Sequence, residues 1–222
     1  MTSSPQVPQL CAGDRLSRDE FERRYAAMPQ LKKAELIEGV VYMPSPVRHT
    51  HHGHPHVLLG AWLVAYCETT PGMDCSSDAT LRLDLDNEPQ PDLMLRIDRA
   101  EGSSRIDDDG YIDGPPELVV EVAASSVSYD LHQKLHVYRR SGVREYLVLR
   151  ATEAAVDWFA LRGGVYERLA ADSHGVLRSE VFPGLWLDVP ALLRGDSAAM
   201  RAAVLRGTAT AEHAVFRSRL RE

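Results

Sequence analysis

Cysteine is scarce and unpaired in this chain. The three residues, Cys11, Cys67 and Cys75, are odd in number and no two are close in sequence. That argues against a disulfide framework and for a reducing compartment, so a cytoplasmic protein is expected. No apolar run reaches the roughly 20 residues that cross a bilayer, and no membrane partner is expected. The opening MTSSPQVPQL lacks the basic-then-apolar pattern of a secretory signal. Positive charge is not in excess either: 25 Lys and Arg face 32 Asp and Glu, for a net charge of −7. That speaks against a general nucleic-acid coat, which shows a basic stripe. It leaves room for an enzyme with an acidic centre that meets a polyanion through a local basic patch. Internal repeats and low-complexity tracts are also missing.

What is present is ordinary globular material. At 222 residues, 44% hydrophobic and 26% charged, the chain suits one domain with trimmings. Residues 1–16 read as a flexible N-terminal arm, 17–194 as the domain and 195–222 as an Ala- and Arg-rich helical tail. Ser17-Arg18-Asp19-Glu20 has the form of a capping box, and Pro29 ends the helix it opens. Residues 34–43 read as a hairpin turning at Glu38-Gly39. A helix is expected over 51–68, alternating strand pattern over 80–85 and a strand over 92–97. The acidic stretch 98–114 reads as a surface loop. A strand follows Pro115-Pro116, then a helix over 128–140 ended by Gly142. A strand over 144–150 and a hairpin turning at Gly163-Gly164 come next. Phe182 to Leu187 closes the domain. The order of elements predicts an α/β (α+β mixed) fold, a mixed central β-sheet flanked by helices.

Glu121 breaks the pattern of its own strand. It stands in Leu118-Val119-Val120-Glu121-Val122-Ala123, where both faces are expected to be covered. A buried ionised carboxylate costs several kcal/mol unless it meets a cation, a proton or strong donors. Asp92 opens another apolar strand after Pro91, and Lys134 lies on the following helix. Glu35 and Glu38 flank the first hairpin. Each has a plainer reading: Asp92 as a turn residue, Glu35 and Glu38 as solvent positions, Asp130 and Lys134 as a surface pair four apart. Taken jointly they suit a divalent-metal centre that cleaves phosphodiesters. Mg²⁺ takes carboxylate, carbonyl and water oxygens, activates water and offsets phosphoryl charge. Asp92, Glu121 and the carbonyl of Val122 would be its ligands, Mn²⁺ a substitute, and Lys134 would assist the water or phosphate.

Five histidines crowd into residues 49–56. The density invites a zinc reading, and a zinc-dependent hydrolase is the weaker alternative. Gly53, Pro55 and the lack of a cysteine partner favour a solvated helix entrance. The arginines of the tail, from Arg201 to Arg221, suit phosphate but equally suit a solvated helix.

Several of these pieces resemble the Uma-type restriction-endonuclease family of the PD-(D/E)xK nuclease superfamily. The matching pieces are residues 34–41, Ser45-Pro46 followed by histidine, Pro91-Asp92-Leu93, 114–122, Asp130 to Lys134, 138–146 and Phe182-Pro183-Gly184-Leu185. The resemblance implies a restriction-endonuclease-like core, DNA as substrate and a homodimer. It implies Asp92 and Glu121 as metal ligands and Glu35 as the family's early glutamate, with Glu38 its neighbour. Ala123 stands where the superfamily pattern has lysine, and Lys134 matches the helix position that supplies the amine instead. The expectation is a Mg-dependent endonuclease. The alternative is a catalytically silent nuclease-fold protein that binds or regulates.

Overall fold

A six-stranded mixed sheet organises the computed structural model, which describes residues 7–43, 46–124 and 126–220. In spatial order its strands are Val165–Arg168, Ala155–Arg162, Glu145–Arg150, Leu118–Ala123, Leu93–Ile97 and Met73–Ser77. The spatial order is the chain order reversed, with the strands of a separate small sheet interposed in the chain on either side of Leu93–Ile97. Pairing is antiparallel everywhere except between Leu118–Ala123 and Glu145–Arg150, which run parallel. A parallel neighbour needs a crossover, and the helical segment 127–141 supplies it.

Side-chain alternation assigns the two faces. Leu118, Val120 and Val122 join Leu59, Trp62, Leu63 and Tyr66 of helix His54–Thr69 in the main core. Val119 and Ala123 join Tyr138, Val143 and Tyr146 on the other side. Glu121 therefore points into the layer beneath the crossover helix. Coverage of both faces explains why its strand reads as a nearly unbroken apolar run.

The first hairpin pairs Glu35–Ile37 with Val40–Tyr42. Glu38 and Gly39 both have positive φ, 51° and 72°, as a tight hairpin turn of this hand requires. A third apolar cluster of Leu10, Phe21, Leu36 and Val41 anchors this hairpin to the N-terminal segment. The described part of the expected arm is thus tied down: Leu10 is buried and the Gly13 amide donates to the Val41 carbonyl at 2.8 Å. At the other end, helix Ser197–Thr208 sends Met200 and Val204 into the main core.

Three local expectations change. The stretch 98–114 is more than a loop, since Arg105–Ile106 and Ile112–Asp113 pair in a small sheet. Its third strand, Leu81–Arg82, is what remains of the predicted run 80–85. Both are two-residue pairings held by distant partners, which periodicity does not register. The helix Arg18–Ala26 starts at Ser17 without a side-chain cap. Glu20 turns instead to Arg23 and Arg24, at 2.7 and 2.6 Å, where charge-assisted bonds are stronger than a cap to a neutral amide. Among the described residues, no helix is long and apolar enough to cross a membrane.

Candidate active site

Four elements deliver acidic or basic side chains to one end of the Glu121 strand. Glu35 begins the first hairpin, and Asp92 immediately precedes Leu93–Ile97. Glu121 comes from the middle of the sheet and Lys134 from the crossover helix. All four are buried, none more than 6% exposed.

Lys134 is the hub. Its Nζ lies 2.8 Å from Glu35 Oε1, 2.8 Å from Glu121 Oε1 and 3.9 Å from Asp130 Oδ1. The helix makes this possible with a π-helical turn over Asp130–Lys134. Such a widened turn changes the phase of the helix, and here Asp130 and Lys134 both face inward. The Asp130–Lys134 pair is therefore not the surface pair that its spacing allows. Tyr138, one turn on, donates to Glu121 Oε1 at 3.0 Å. The Tyr129 ring lies under the ammonium at 5.3 Å.

Asp92 sits where the sheet pairing stops. The Leu93–Ile97 strand is in register with the Glu121 strand only as far as Leu93 opposite Val120. Beyond that point the Val122 peptide edge faces Asp92, and Val122 N–H donates to Asp92 Oδ2 at 2.7 Å. The N–H and C=O of one extended residue point the same way, so the Val122 carbonyl lies on this side too. The Asp92 amide in turn reaches Glu121 Oε2 at 3.4 Å. His52 Nε2 is 3.2 Å from Asp92 Oδ2, and Lys33 Nζ is 3.7 Å from Asp92 Oδ1. Glu35 is fixed from behind by the Gln90 amide at 2.8 Å.

The electrostatics follow from many buried acids sharing few cations. Burial pushes the Glu121 carboxyl up to about 8; the charges of Asp92, Asp130 and Glu35 add to this and Lys134 opposes it. Burial also raises Asp130. Burial works against ionisation of Asp92 as well, yet the His52 hydrogen bond, the His52 and Lys33 charges and the Val122 amide hold it at about 2. Burial alone would lower Lys134, but Glu121, Glu35 and Asp130 together keep it well above an ordinary lysine. Four buried carboxylates, three of them around the Lys134 ammonium, offer oxygens of the type a hard divalent cation takes. Asp92, Glu121 and the Val122 carbonyl are the oxygens that could hold one.

Glu35, Asp92, Glu121 and Lys134, all named from the sequence, thus come together. Glu38 does not join them: it occupies the exposed hairpin turn and pairs with Arg140 at 3.2 Å. Ser45 lies outside the described residues. In the tail, Arg201 pairs with Glu68 at 3.3 Å. Sequence reasoning missed Lys33, Tyr138 and the inward Asp130, and named His52 only as one of five histidines in a candidate zinc segment. A basic residue two before Glu35 was the one available signal for Lys33.

Comparison with known proteins bears on this arrangement. No curated protein matches the chain. Among solved structures, a crystal structure from Anabaena variabilis ATCC 29413, described as "a putative nuclease belonging to DUF820", superposes with a TM-score of 0.60. The two chains are 12% identical, and the match covers 78% of this chain and 97% of that one. At this identity the likeness is one of fold, a mixed sheet flanked by helices. A match to the family Uma2, described as "Putative restriction endonuclease", extends over residues 18–190. A match over that much of the sequence shows that the chain belongs to the Uma2 family.

Proposed function

We propose that the protein is a Mg²⁺-dependent endonuclease that hydrolyses phosphodiester bonds of DNA. The observation that carries the reading is the meeting of Asp92, Glu121 and Lys134 at the end of one strand, all buried, with Glu121 bonded to Lys134 and to the Asp92 amide. Family membership and the shared fold support it.

The chain's own groups have distinct tasks in this reading. Asp92, Glu121 and the Val122 carbonyl would hold the cation, which when bound supplies a more acidic water and charge for the phosphoryl oxygens. Mn²⁺ would serve in its place. The amides of Val122 and Asp92 fix the two carboxylates before any ligand arrives. Lys134 opposes the burial that raises Glu121, and its ammonium, 2.8 Å from both Glu121 and Glu35, lies where a phosphate or water would need a donor. Glu35, pinned by the Gln90 amide, positions Lys134. Lys33, partly exposed beside Asp92, offers local positive charge to an incoming backbone despite the net charge of −7. The proposal includes a cytoplasmic homodimer, which would present two such centres to a duplex.

The test is cleavage of supercoiled and linear duplex DNA by tag-free protein with Mg²⁺, with Mn²⁺ and with chelator. Glu121→Gln keeps the shape and an acceptor for Lys134 and Tyr138 but removes the charge. It should cut at least about a hundredfold more slowly, the scale on which preorganised electrostatic groups act. Wild-type protein that binds neither ion at millimolar concentration removes the enzymatic reading.

A second reading is a nuclease-fold binding or regulatory protein that does not cut. Ala123 at the position of the usual lysine favours it, as does the commitment of Lys134 to two carboxylates. DNA binding without cleavage under any divalent ion would select it.

A further inference from the structure

The histidine-rich segment does something that its sequence conceals. His52 ends up beside Asp92, and His56 lies four residues on, along the start of helix His54–Thr69. Residues at i and i+4 share a helix face, the spacing by which paired histidines hold a metal. The ligand atoms of His52, His56 and Asp92 all lie within 4.8 Å of one another. Among the described residues this is the group of three with such geometry. The two imidazoles meet edge to face, with centroids 5.8 Å apart. A second π-helical turn, His49–Gly53, leads into the helix and carries His52.

We propose that His52, His56 and Asp92 form a site for a first-row transition metal of the zinc class. The site goes beyond the nuclease reading and stands on geometry rather than on that activity. Two imidazoles and a carboxylate are a poor set for Mg²⁺, which prefers oxygen, and a good one for Zn²⁺ or Co²⁺. Both histidines are half-buried, so water completes the coordination. The Val122 amide, bonded to Asp92 Oδ2, orients the carboxylate from behind. Lys33 reaches the other oxygen, Oδ1, and leaves Oδ2 to the histidine side. The remaining histidines are arranged differently. His49 and His54 lie against each other with ring centroids 5.8 Å apart and planes tilted by 35°, and both are exposed. Because Asp92 also belongs to the acidic centre, a transition metal here and a hard cation there draw on one carboxylate.

Titration of tag-free protein with Co²⁺, followed by visible absorption, tests the site, with Zn²⁺ calorimetry alongside. One equivalent should bind the wild type. His52→Ala and His56→Ala should each weaken binding by more than the about tenfold that loss of even an outer partner costs. Triple replacement of His49, His51 and His54 by alanine should leave binding unchanged. Unweakened binding in His56→Ala overturns the proposal, and so does loss of binding in the triple variant. His56→Gln, which keeps bulk and polarity, serves if the alanine variant melts early. No cleavage assay enters, so a protein that cuts nothing can still bind Co²⁺, and one that cuts can fail to.

Discussion

Asp92 accepts a 2.7 Å hydrogen bond from the Val122 amide at the point where the sheet runs out of a partner strand. A backbone group that the ladder leaves unpaired thereby becomes the support for a carboxylate. The same junction places Asp92 against Glu121 through its own amide. The end of the sheet, rather than a loop, holds the acidic centre.

This support separates folding from metal binding. Asp92→Asn keeps an oxygen for the Val122 amide, so its secondary structure and thermal unfolding should match wild type within a few degrees. Its carboxylate charge is gone, and with it the partner of His52 and the second acidic neighbour of Lys33 after Asp78. Mg²⁺ affinity should fall at least tenfold by calorimetry, about 1.4 kcal/mol or more. Unaltered Mg²⁺ affinity would show that Asp92 is a turn residue and nothing more.

Lys134 gives a prediction about stability. Lys134→Met fills similar space but leaves Glu35, Glu121 and Asp130 buried around no cation. Stranding charge in this way typically costs about 3–5 kcal/mol. The unfolding midpoint in urea should drop accordingly. Adding Mg²⁺ should restore more stability to this variant than to wild type, because the ion replaces missing positive charge in the folded state alone. Equal responses to Mg²⁺ in both proteins would show that the pocket does not take the ion.

Part of this centre was legible because its chemistry contradicts its surroundings. Glu121 is one carboxylate in an apolar run, and the alternation of that run assigned it to the face opposite Leu118, Val120 and Val122. Asp92, Glu35 and Lys134 became legible through their order and spacing along a family pattern. Asp130 did not, because a spacing of four says that two side chains are neighbours and nothing about burial. The π-helical turn that aims both inward leaves no mark in composition. His52 was hidden by company: five histidines share the segment, and its partner Asp92 lies forty residues away in sequence. The strands Arg105–Ile106 and Ile112–Asp113 escaped for a like reason, since they exist only against each other and against Leu81–Arg82.

Glu145 supplies the last prediction, away from the acidic centre. It belongs to the strand parallel to that of Glu121 and accepts from the Ser179 hydroxyl and the Glu180 amide at 2.7 Å each, and from Val181 at 3.1 Å. These bonds tie the closing segment to the sheet. Burial nevertheless pushes its carboxyl up to about 7 from an ordinary 4.5, the hydrogen bonds opposing that rise. The sign follows from proton counts: between pH 4.5 and 7 the native state holds more protons than the unfolded one. Stability is therefore full below about 4.5 and declines as pH rises through about 7. Glu145→Gln can keep the two amides on its oxygen and donate to Ser179 through its nitrogen, with no proton to lose. Urea unfolding at pH 5 and pH 8 should show wild type losing up to roughly 3 kcal/mol more than the variant, about 1.4 kcal/mol per unit of pKa shift. Parallel pH profiles for the two proteins would mean that the buried carboxyl is ionised across the whole range and that its three donors outweigh its burial.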